Sequence, residues 1–154
     1  MSLLAALRPD DVDFPLFMHV LGAMVLVGTL LLAGVVLAGA WREGDAAQTR
    51  TAYKVLLIGA LPAWLVTRVF AQILLDKPIY EAAEESTWVE IGFISTEPAL
   101  LLLVGAVVAA GVGSRKALRE NVAVGTSGRV AAGLTWLLVA IYVVTIWAMT
   151  AKPD

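Results

Sequence analysis

FPLFMHVLGAMVLVGTLLLAG, residues 14–34, is an apolar run broken by a single imidazole, His19, the only histidine in the 154-residue chain. A helix rises about 1.5 Å per residue, so about 20 such residues cross a hydrocarbon core of roughly 30 Å. Carried on to Trp41, the run is long enough to span a bilayer. Backbone groups in lipid must be bonded within their own segment or in a closed barrel. The strict alternation of a barrel strand is missing here, so the run reads as a helix.

Three further runs share this character, giving expected spans at 14–41, 52–75, 90–113 and 130–149. The third ends near Gly113, and its start falls anywhere between Trp88 and Glu97. The chain therefore reads as an all-α protein, a single transmembrane domain over 1–154 built as a four-helix bundle. Composition agrees: 60% of residues are hydrophobic and 16% charged, with a mean hydropathy of +0.84. A soluble protein of this size could not cover its surface with so little polarity. The net charge of −2 argues against nucleic acid as a partner, and the absence of cysteine excludes disulfides, thiolate metal sites and thiol nucleophiles. The opening MSLLAALRPDDVDFPLF lacks a basic start and a small-x-small cleavage site, so the first run is expected to be a retained span rather than a signal peptide.

Charge sets an expected orientation. Arg42, Arg50, Lys54, Arg115, Lys116, Arg119 and Arg129 flank one side of the spans, against Arg8, Lys77 and Lys152 on the other. Basic residues favour the cytoplasm, which places both termini and the 76–90 connection outside a bacterial plasma membrane. That connection is acidic, with Asp76, Glu81, Glu84, Glu85 and Glu90. LVGTLLLAGV at 26–35 and LVGAVVAAGV at 103–112 match at a constant offset, which also maps Arg42-Glu43 onto Arg119-Glu120. A duplicated helical hairpin would produce this pattern. So would chance recurrence of Leu, Val, Ala and Gly.

Polar residues from all four spans fall at similar outer depths. His19 lies roughly 7 Å in, Arg68 roughly 12 Å and Glu97 roughly 13 Å, with Gln72 one turn after Arg68 and Thr145 at a comparable level. Ionisable groups in lipid normally face the bundle interior, a cavity or a partner. Arg68 cannot shed its charge, and Glu97 is the carboxylate at matching depth, so the two are expected to pair. Trp64, Arg68 and Gln72 share one helical face, which lets indole and guanidinium stack. His19, Gly22, Ala23 and Leu26 share another, whose small residues admit a close neighbour. His19, Arg68, Gln72 and Glu97 together form the candidate intramembrane site. Plainer readings stand beside it. Arg68 can snorkel to headgroups, and His19 can bond a neighbouring carbonyl. In STEPALLLLV, Glu97 and Pro98 can mark a helix start. Trp41, Trp88 and Trp147 suit interfacial anchors.

Motifs for hydrolysis, phosphate cradling or zinc proteolysis are missing, and no nucleophile–base constellation is visible, so an enzyme ranks last among the functional classes. Haem ligation needs one axial imidazole, which a homodimer could supply twice from His19. Copper(I) accepts thioethers, and Met18, Met24 and Met149 lie in the same half as His19. Met18 and His19 are adjacent, however, and point about 100° apart on a helix. The stretch FMHVLGAMVLVGTLLLAG resembles small bacterial inner-membrane proteins of the copper-resistance protein D and haem-associated four-helix group. LPAWLVTRVFAQ and VVTIWAMTAKPD look like small actinobacterial membrane proteins. The resemblance implies metal or haem ligation at His19, and the further histidines of such a site are missing here. Two functions follow as expectations. One is a binding or transport module whose outward polar site handles a cation, proton or haem. The other is a non-catalytic accessory subunit whose polar residues lock the bundle or dock a membrane-complex partner.

Overall fold

In a bundle surrounded by lipid, moving a leucine inward gains nothing, because acyl chains are as apolar as the interior. Interiors are then chosen for close fit, which favours small residues. The computed structural model describes residues 10–78, 86–120 and 125–151, and its interior is rich in alanine beside the leucines Leu26, Leu30, Leu37, Leu56, Leu103 and Leu138. Ala33, Ala40, Ala52, Ala60, Ala106, Ala110, Ala131 and Ala148 are fully enclosed, whereas Phe17, Met24, Ile58, Leu101 and Trp147 face outward.

The elements are α1 (Asp10–Glu43), α2 (Ala46–Lys54), a π-helical turn (Val55–Ala60), α3 (Leu61–Leu75), α4 (Thr87–Glu120) and α5 (Thr126–Ala151). With α2, the π-turn and α3 continuous, four helices are long and apolar enough to cross a membrane. No strand occurs among the described residues. The protein is an integral membrane protein with a four-helix bundle. The acidic residues Glu81, Glu84 and Glu85, together with Arg8 and Lys152, lie outside the described residues.

The α1–α2 corner is fixed locally. Gly44 has φ 69°, the left-handed conformation that glycine adopts without a Cβ clash. The Asp45 N–H then reaches back to the Ala40 carbonyl at 3.0 Å, a Schellman closure. The Asp45 carboxylate caps α2 by accepting from the N–H of Ala47 at 2.7 Å. The π-turn has an equally local cause. Pro62 has no N–H to offer the carbonyl four residues back, and the Leu61 N–H bonds Leu56 O, one residue further than in an α-helix.

α1 packs against the second span and α5, and α4 against α5 and α2, so α1 and α4 are diagonal partners. Their buried faces coincide at the sequence offset of the repeat. On α1, Val12, Pro15, Gly22, Leu26, Leu30, Ala33, Gly34, Leu37 and Ala40 are buried. At the same offset on α4, Val89, Gly92, Ala99, Leu103, Val107, Ala110, Gly111, Ser114 and Ala117 are buried too. Each half also receives an aromatic ring at the same place. Trp136 of α5 lies on Gly34, and Tyr53 of α2 lies on Gly111. α1 and α4 thus share a register of burial as well as of sequence.

α4 is longer at both ends than the 90–113 read from hydropathy. It runs unbroken through Pro98, so Glu97 is a mid-helix residue and not a cap. The Ser95 and Thr96 hydroxyls turn back onto the Gly92 carbonyl at 3.0 and 2.6 Å. Pro98 withholds its N–H from the Ile94 carbonyl, so these hydroxyl bonds fall on a different carbonyl, one turn before Thr96.

Candidate functional site

The second span and α4 meet closely along α2, then draw apart along α3. The opening lies at the end of the bundle where α1 begins and α5 finishes. α3 presents Trp64, Arg68 and Gln72 to it at successive turns, one face of the helix. α4 presents Phe93, Thr96 and Glu97.

Arg68 is the hub. Its Nη2 lies 4.0 Å from Glu97 Oε1, with Arg68 mostly covered (24% exposed) and Glu97 70% exposed. Its Nη1 donates to Gln72 Oε1 at 3.1 Å, and Gln72 Nε2 donates to Asp76 Oδ1 at 3.2 Å. The guanidinium carbon sits 4.7 Å from the centre of the Phe93 ring. The aromatic partner of Arg68 is therefore Phe93 of the opposite helix, not Trp64 of its own. Trp64 points its indole N–H at the Thr96 carbonyl, 3.4 Å away. The cleft is thus bridged by a charge pair, a cation–π contact and a polar bond. It is left unsealed on the side where Glu97 is exposed.

His19 sits on a different seam. A carbonyl oxygen can only accept, so the 3.0 Å contact between His19 Nδ1 and Thr67 O makes Nδ1 the protonated nitrogen. Thr67 and Arg68 are consecutive on α3 and point about 100° apart. His19 accordingly binds the α1 side of α3 while Arg68 faces α4. Gly22, one turn after His19, brings the helices together: a Cβ there would stand 2.7 Å from Thr67 Oγ1 and 3.0 Å from Thr67 N. Of the four candidate site residues, the structure gathers Arg68, Gln72 and Glu97, and sets His19 on the back of the same helix.

Thr145 joins α5 to α4 by donating to Ser95 Oγ at 2.8 Å. One turn earlier, the Tyr142 hydroxyl is buried beside the Trp64 indole and makes no hydrogen bond of ordinary geometry. Nothing in the sequence singled out Phe93 or Tyr142, because each reads as one more apolar residue in an apolar helix. The methionines do not converge on His19: Met24 is 68% exposed, and the Met149 methyl rests on Gly92 of α4. Among the described residues no group of three His, Cys, Asp or Glu is placed to hold a metal ion.

Fold and side chains together define a four-span integral membrane protein with an Arg68–Glu97 ion pair between its second and third spans. Comparison of the chain with known protein families, with curated proteins and with solved structures finds no match.

Proposed function

We propose that this membrane protein is a transport module whose α3–α4 face opens to the outside of a bacterial plasma membrane and takes up at Glu97 a proton that then crosses the bilayer. The orientation follows the concentration of Arg42, Arg50, Lys54, Arg115, Lys116, Arg119 and Arg129 at the opposite end. The carrying observation is the Arg68–Glu97 pair, 4.0 Å apart with the carboxylate largely exposed. Of the ligands open to such a site, a metal cation would be repelled by the adjacent guanidinium, whereas a proton neutralises Glu97 without breaking a close two-point bond. Arg68 then keeps Gln72 and Phe93 as partners. In sealed vesicles holding a pH-sensitive dye, the purified protein should speed the decay of an imposed pH gradient, and Glu97→Gln should remove the acceleration. Equal rates for wild type, Glu97→Gln and empty vesicles would sink the proposal. The exposed Glu97 would then be better read as a docking charge of an accessory subunit.

His19 supports a second reading. With Nδ1 donating to a backbone carbonyl, its Nε2 keeps a free lone pair, and no bond to it occurs among the described residues. This is the usual state of an imidazole that ligates haem or metal. A single histidine per chain would require a second copy or another axial group. The visible spectrum and metal content of protein in mild detergent test this directly. A Soret band lost in His19→Ala would favour the reading, and a colourless, metal-free protein would end it.

A further inference from the structure

At the end of the bundle remote from the cleft, α2 and α4 bound a groove of about 380 Å³. Arg50 and Lys54 reach it from successive turns of α2, and Arg115 and Arg119 from successive turns of α4. Like charges one turn apart repel, so two such pairs facing each other are unfavourable unless something neutralises them. The chain does not do so. Among the described residues none of the four makes an ion pair or a hydrogen bond. Glu43 accepts from Gln48 and Asp45 caps α2, while Glu120, next to Arg119, forms no ion pair with the four. Another arginine at this end, Arg129, has its own partner in the Trp41 ring, 5.3 Å away. The groove thus presents four exposed guanidinium or ammonium groups that no acid of the chain pairs with among the described residues.

Its walls indicate which anion. Tyr53 lies flat against α4 because position 111 is glycine, where a Cβ would meet the ring at 3.0 Å. With Leu118, Tyr53 gives the groove an apolar lining beside its cations. The face of α4 that carries Arg115 and Arg119 continues away from the groove as Val112, Val108, Val104 and Leu101, at helical spacing. All four are exposed, Leu101 at 75%. From Val112 to Leu101 this stripe is roughly 16 Å long, the thickness of one leaflet's hydrocarbon. A charged cradle at the surface that leads onto a leaflet-long apolar track matches an amphiphile.

We infer that the α2–α4 groove binds the phosphate group of an anionic phospholipid, held by Arg50, Lys54, Arg115 and Arg119, with an acyl chain along Leu101–Val112 of α4. Four cations suit a headgroup with more than one negative charge, such as a lipid carrying two phosphates. The chemistry shared with a soluble ligand is the phosphate itself; the apolar track is what selects the lipid. This site stands apart from the α3–α4 cleft and does not depend on the function proposed for it.

The full chain in mild detergent can be titrated with a diphosphate-bearing cardiolipin, phosphatidylglycerol, phosphatidylcholine and inorganic phosphate, with binding read by native mass spectrometry. The expected order is cardiolipin, then phosphatidylglycerol, with phosphatidylcholine weak and inorganic phosphate failing to compete at millimolar concentration. The Arg115→Gln/Arg119→Gln double variant should lose roughly thirtyfold in affinity for cardiolipin. Arg42→Gln/Arg129→Gln, which removes the same charge at the same end but outside the groove, should lose far less. Equal losses in the two double variants would overturn the proposal, since the basic residues would then act only as a diffuse field. Inorganic phosphate binding at the groove in preference to lipid would also overturn it. Photo-crosslinking of wild type with a phosphatidylglycerol photoactivatable in its headgroup needs no variant: label on the peptides holding Tyr53 and Leu118 supports the site, and label confined to peptides outside α2 and α4 overturns it.

Discussion

α1 and α4 bury the same register but fill it with different residues. Gly22 corresponds to Ala99, Leu37 to Ser114, and the half-buried His19 to Thr96. In both helices this last position touches the second span. On α1 the imidazole bonds Thr67 O through its side chain. On α4 the Thr96 backbone carbonyl receives the Trp64 indole, while the Thr96 hydroxyl bonds its own helix. The same geometric position thus carries a specific side-chain contact in one half and a backbone contact in the other. The two helices thus share a shape of contact while the groups that make the contact differ.

Substitutions can break this comparison, and the largest effect is expected at Gly22. A side chain there meets the backbone nitrogen of Thr67, which cannot step aside, and it wedges α1 from α3. Gly22→Leu should destabilise the bundle by about 3 kcal/mol, at the upper end of overpacking costs, and lower the melting temperature in detergent. Gly34→Leu and Gly111→Leu should each cost about 1–3 kcal/mol and, more tellingly, nearly the same amount, because each displaces one aromatic ring of the opposite hairpin. A large inequality between them would mean that the two halves have lost their equivalence in packing. At the chemically divergent position, His19→Ala should cost about 1 kcal/mol through its bond to Thr67. Thr96→Val should cost a few tenths, since the carbonyl that receives Trp64 remains. Thermal unfolding of the pair, measured side by side, would sharpen the contrast; equal values would contradict it.

Much of the architecture was legible because hydropathy registers the solvent directly. Runs such as 14–34 have no polar alternative to lipid, and their number and length give the four spans. The Arg68–Glu97 pair was legible by scarcity, as the obligate cation had one carboxylate at its depth. Three features were not. STEPALL has the local grammar of a helix start, but Pro98 is accommodated within α4, with Ser95 and Thr96 turned back onto Gly92. The ring over Arg68 depends on how α4 is rotated about its axis, which packing decides and sequence spacing on α3 does not. His19 and Arg68 looked like neighbours in depth. They differ in azimuth, because one residue separates the Thr67 carbonyl from the Arg68 side chain.

The π-turn at Val55–Ala60 has an effect on aim. Lengthening one turn by a residue rewinds everything after it by about 100° relative to a plain α-helix. α2 must direct Arg50 and Lys54 at one end of α4 while α3 directs Arg68 at the other, and the turn sets the phase between those two directions. It works as a fixed rotary offset built into a continuous rod. Gly59, where a Cβ would stand 2.7 Å from the Thr29 methyl, holds that offset against α1. Removing a single residue from this turn would leave hydropathy, charge and span length almost unchanged, yet would swing Arg68 off Glu97 and Phe93. The two ends of the second span are therefore tuned to each other by a count of one residue.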